Sequence, residues 1–86
     1  MASYEIFGTF KDAKQKREFS EGMAKNGIFE DGNGRWVTPM IPAHEVDWVN
    51  SVRRLLLRFS LSGASFKYKR HGEKEQKNFS FEYTRH

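Results

Sequence analysis

The chain has no cysteine among its 86 residues. That excludes a disulfide framework, a thiolate metal site and a cysteine nucleophile, and it is compatible with a reducing compartment. No apolar run approaches the ~20 residues needed to span a bilayer. The first ten residues, MASYEIFGTF, lack the basic start and apolar block of a secretory leader, so a soluble, cytoplasmic protein is expected. Histidines are scarce as well: His44, His71 and His86. His44-Glu45 opens like an HExxH zinc-protease helix, but Trp48 occupies the place of the second histidine, which ends that match. Hydrolase elbows, paired carboxylates with acid/base spacing and dinucleotide loops are also missing. The expectation is a protein that is not an enzyme and uses no metal and no cofactor.

What is present begins with Ala43–Ser60, AHEVDWVNSVRRLLLRFS. At 100° per residue, Trp48, Val49, Val52, Leu55, Leu56 and Phe59 share one arc, while Asp47, Asn50, Ser51, Arg54 and Arg58 take the other side. Pro42 suits a first helical position, and Gly63 supplies a stop. Glu45 and Asp47 favour the positive end of the helix dipole; Arg53, Arg54 and Arg58 favour the negative end. The same stretch also alternates, with Leu55, Leu57, Phe59 and Leu61 against Arg54, Leu56, Arg58 and Ser60. A strand turning at Ser62-Gly63-Ala64 into Phe66-Lys67-Tyr68 is therefore the competing reading.

Ser3–Phe10 reads as a first strand, with Tyr4, Ile6, Gly8 and Phe10 on one face and Glu5, Phe7 and Thr9 on the other. Lys11–Asn26 is rich in helix formers. Asp12 and Gln15 have capping-box spacing, and Gly27 follows. Its apolar stripe is thin, mainly Phe19 and Met23, so a surface helix with Lys14, Lys16, Arg17 and Lys25 in water is expected. Ile28–Ile41 reads as a hairpin around Asp31-Gly32-Asn33-Gly34, with Ile28-Phe29 opposite Trp36-Val37. That glycine-rich turn lacks the Lys-Ser/Thr of a phosphate loop. Pro39 implies that the strand ends near Thr38 or lies at an edge. Ser65–Arg70 and Asn78–Thr84 read as a second hairpin across His71–Lys77, with Phe66, Tyr68, Phe79, Phe81 and Tyr83 inward and Lys67 and Lys69 outward.

The resulting expectation is a single α+β domain over 1–86. An antiparallel sheet of four to five strands carries two helices on one face, in the order βαββαββ, ferredoxin-like with an extra C-terminal strand. If 45–61 were extended, the alternative would be a mostly antiparallel β domain with one helix.

The net charge of +4 is unevenly placed: +1 over residues 1–26, −3 over 27–52 and +6 over 53–86. Basic residues interleave with aromatics near the C-terminus, so Lys67, Lys69, Arg70, Lys74 and Lys77, helped by Arg54 and Arg58, are the candidate contacts for a nucleic-acid backbone, DNA or RNA. An open sheet face carrying Phe7 and these lysines resembles the layout of RNA-recognition motifs. The third strand, GRWVTPM, has no Lys/Arg-Gly-Phe-Gly-Phe pattern, so the resemblance covers element order alone. The other reading is a protein-protein interaction module that meets an acidic surface. An inhibitor that a mobile element encodes against a host nucleic-acid-handling complex would be one such module. Self-association to a homodimer through an exposed strand is a variant of it.

Overall fold

A computed structural model describes residues 3–32, 34–39 and 46–78. The elements are β1 (Tyr4–Thr9), α1 (Ala13–Lys25), β2 (Arg35–Val37), α2 (Val46–Leu61), β3 (Ser65–Arg70) and β4 (Lys77–Asn78). Among the described residues the strands form one antiparallel sheet in the order β2-β1-β3-β4. Ile6 pairs with Trp36 on one side and Tyr68 on the other, and β4 adds to β3 through Lys67↔Asn78 and Tyr68↔Lys77. Because β2 and β3 both run antiparallel to β1, they are parallel to each other with β1 between them. The crossover through α2 is therefore a split βαβ unit. Beyond β2 lies, among the described residues, a single bridge, Glu30↔Trp36. Counting it, the order is ferredoxin-like with one added C-terminal strand, and the α+β expectation holds.

Helix α2 is helical through Leu55, Leu57 and Leu61, so the extended reading of that stretch and the mostly-β alternative fall. Its 3.6-residue stripe goes inward: Val52, Leu56 and Phe59 are buried and Leu55 packs beside them. Residues 43–45 lie outside the described residues. Both helices end alike. Gly27 (φ +75°) and Gly63 (φ +107°) take a left-handed conformation that suits glycine. Ile28 N–H then donates to the Met23 carbonyl and Ala64 N–H to that of Phe59, each at 3.0 Å. These six-to-one bonds are Schellman closures, and each joins two buried residues across the helix end.

The α1 start is capped as its sequence implies, with Asp12 Oδ1 accepting from the Gln15 amide at 2.8 Å. The Gln15 side chain differs from an ordinary capping box. Its Oε1 accepts from Lys11 N–H, and its Nε2 donates to the Ser62 carbonyl, both at 2.9 Å. Gln15 is buried and so ties the start of α1 to the end of α2.

The thin stripe of α1 turns out to be the centre of the core. Phe19 and Met23 are fully buried. The Phe19 ring lies 5.3 Å from Phe10, 5.0 Å from Trp36, 5.4 Å from Phe59 and 4.9 Å from Phe66, centroid to centroid. These spacings suit edge-on and tilted aromatic packing. Gly8 makes room for the Phe10 ring, since a Cβ there would come within 2.6 Å of it.

Two hairpin expectations need correction. Ile28-Phe29 does not pair with Trp36-Val37; the ladder is the one Glu30 bridge, Ile28 is buried and Phe29 is exposed. The register is set by the turn. Asp31 N–H donates to the Arg35 carbonyl at 3.0 Å, and Gly34 N–H donates to Glu30 Oε2 at 2.8 Å. In the second hairpin, Lys77 belongs to the strand rather than the loop. Phe79, Phe81 and Tyr83 lie outside the described residues. Pro39 is harmless because β2 ends at Val37, before the proline could break the ladder.

Replacing Phe19 with Ala should cost about 3–5 kcal/mol, a large share of the ~5–15 kcal/mol that holds a domain of this kind. Urea unfolding followed by tryptophan fluorescence should show a strongly lowered midpoint. Phe19→Leu should lie between Phe19→Ala and the wild type.

Candidate nucleic-acid interface

Strand alternation divides the side chains between two faces. Ile6, Trp36, Phe66 and Tyr68 turn toward the helices. Glu5 and Phe7 of β1, Arg35 and Val37 of β2, and Lys67 and Lys69 of β3 lie on the open face, opposite their cross-strand partners. Phe7, expected to point away from the core, sits there half-buried between Arg35 and Lys67.

The centre of this face is Glu5. Its side chain is only 4 % exposed, yet it lies outside the helix-packed core. Arg35 Nη1 donates to Glu5 Oε1 at 2.6 Å. His71 Nδ1 is 3.1 Å from Glu5 Oε2, and Lys69 Nζ is 3.8 Å from the same oxygen. Arg35 is also held by Asp31, through Nε at 2.5 Å and through Nη2. Burial by itself raises the Glu5 carboxyl. The Arg35 hydrogen bond, the Lys69 charge and the His71 hydrogen bond outweigh it and hold the group below the usual carboxylate value. Asp31 first, and Glu5 after it, push the Arg35 guanidinium above its ordinary range.

The anticipated contact residues are therefore not one patch. Lys67 and Lys69 share the open face, but Lys69 is drawn onto Glu5 and is only 21 % exposed. Lys67 is exposed. Arg70 and Lys74 are exposed at the end of β3 and in the following loop, and Lys77 is exposed on β4 beside Tyr68. Lys67, Arg70, Lys74 and Lys77 have no carboxylate partner among the described residues. Arg54 and Arg58 are exposed on α2, in the helical layer on the other side of the sheet. Arg58 stacks its guanidinium 5.5 Å from the Phe59 ring centroid. It lines an open groove of about 270 Å³ with Lys11, Asp12, Lys14 and Glu18. On α1, Lys14, Arg17 and Lys25 are exposed as anticipated, whereas Lys16 pairs with Glu30 at 3.1 Å.

Sequence reading missed Glu5 as the hub. Its one visible trace was a lone acid on the outward side of β1, opposite a lysine-rich strand. Among the described residues no group of acids and histidines could hold a metal ion, and no helix is long and apolar enough to cross a membrane.

A carboxylate with a depressed folded pKa stabilises fully above its unfolded value and loses that stabilisation as the pH falls through the folded one. Glu5→Gln should therefore lower the urea midpoint at about pH 7, and the gap to wild type should shrink progressively as the pH falls below the unfolded carboxylate value of about 4.3. A gap that persists in acid would mean that the charge of Glu5 is not what holds Arg35, Lys69 and His71.

No family model, curated protein or solved structure matches the chain, so no function comes to it by likeness.

Proposed function

We propose that this chain is a small, non-enzymatic binding module that takes the phosphate backbone of a nucleic acid along the β3–β4 hairpin. The observation that carries this reading is the exposed basic group Lys67, Arg70, Lys74 and Lys77 of the β3–β4 hairpin. All four are exposed, and none has a carboxylate partner among the described residues. Arg35 and Lys69, by contrast, are occupied by Glu5.

Cations free of internal partners are the ones that can release counterions from a phosphate chain. Lys67 lies on the open face, whereas Lys77 stands opposite Tyr68 and Arg70 alternates onto that same helix side, so a phosphate chain would wrap around the edge of the hairpin rather than run along one face. With no aromatic signature for base stacking on β2 and, among the described residues, only a half-buried Phe7 on the open face, recognition is electrostatic and tolerant of sequence.

Fluorescence anisotropy with labelled DNA and RNA oligonucleotides, at about 50 and 200 mM salt, tests this. Binding should weaken steeply with salt. Lys74→Ala with Lys77→Ala should flatten the slope of log affinity against log salt by about 0.7–0.9 per lost contact. Absence of binding to any DNA or RNA at the lower salt would refute the reading.

A further inference from the structure

The open sheet face is the obvious platform for a polyanion, because it is not covered by either helix and it carries Arg35, Lys67 and Lys69. Its chemistry argues against that use. Glu5 stands opposite Lys69 in the ladder, and its carboxylate lies within 3.8 Å of the ammonium. A phosphate hydrogen-bonded to Lys69 would come within about 7 Å of Glu5, inside the ~8–10 Å over which exposed charges still feel each other. Arg35 is doubly engaged by Glu5 and Asp31. His71 presents its ring nitrogen to Glu5 from the start of the loop.

We infer that Glu5 is a selectivity residue that withholds Lys69 from polyanions and confines phosphate contacts to the outer strip of Lys67, Arg70, Lys74 and Lys77. This rests on the phosphate-binding reading above and adds which part of the basic surface is excluded from it. Glu5 touches no ligand; it acts through Lys69. Lys67 and Lys69 share a face and lie two residues apart, yet only Lys67 contributes a contact.

The test is the same salt-dependent anisotropy titration, applied to Glu5→Gln, Lys69→Ala and the double variant. Removing the charge of Glu5 frees Lys69. Glu5→Gln should then bind roughly 3- to 10-fold tighter at about 50 mM salt, with a slope steeper by about 0.7–0.9. A merely structural role predicts the opposite, weaker binding as the hairpin loosens. Lys69→Ala should change wild-type affinity less than about twofold, whereas Lys67→Ala flattens the slope by about 0.7–0.9. In the double variant the gain from Glu5→Gln should vanish. Lys69→Ala measured in the unaltered background keeps the test decisive if Glu5→Gln folds poorly, since a loss equal to that of Lys67→Ala overturns the inference. Wild-type binding with no gain in folded Glu5→Gln also overturns it and leaves the phosphate-binding reading standing. Failure of the wild type to bind overturns both.

Discussion

Phe19 is where the layers of this domain meet. One ring on α1 touches Phe10 at the end of β1, Trp36 on β2, Phe59 on α2 and Phe66 on β3. In a chain of this length the core is small, and there is no disulfide to restrict the unfolded ensemble. Burying large rings edge to face removes much apolar area per ordered side chain and adds a specific geometric preference. Helix and sheet positions are therefore fixed together, because a shift of α1 by one residue would take this ring away from all four neighbours. Gln15, one turn earlier on the same helix, fixes the remaining freedom by holding the end of α2.

From that packing follows the division of the sheet. Both helices lie on the face of Ile6, Trp36 and Phe66, so neither of them covers the other face. A bare sheet face or edge invites pairing with another chain, and charges placed on it discourage that. Here they also organise it. Glu5 draws residues from β2, β3 and the loop after β3 onto one carboxylate. Its carboxylate is buried, so its ion pairs are screened less than those between exposed side chains.

The parts of this architecture that were legible in the sequence are those set by neighbours along the chain. The 3.6-residue stripe of Val52, Leu56 and Phe59, the glycines that stop both helices and the Asp12 cap all depend on spacings of a few residues. The alternation of Phe66, Lys67, Tyr68 and Lys69 correctly gave inside and outside. The importance of Phe19 and Met23 was hidden, because two apolar residues make a weak stripe and only tertiary structure shows that they sit at the centre. The register of Glu30 against Trp36 was likewise decided by backbone and carboxylate bonds within the turn. The Glu5 hub was the least legible feature, since it unites residues 5, 35, 69 and 71, which no local pattern connects.

That hub changes how the charge of the chain is to be counted. A sum over the C-terminal third gives +6, as if each lysine offered the same attraction to an anion. Counterion release depends on cations that can trade solvent and salt for phosphate, and a cation already facing a carboxylate has made much of that trade internally. Lys67 and Lys69 have the same type, strand and face, and their surroundings still separate them. The one stands beside Phe7 and Asn78, the other opposite Glu5. An effective binding surface is thus the difference between where the fold places cations and where it places the acids that answer them. In this domain the cations with no such acid among the described residues, Lys67, Arg70, Lys74 and Lys77, belong to the β3–β4 hairpin and its loop.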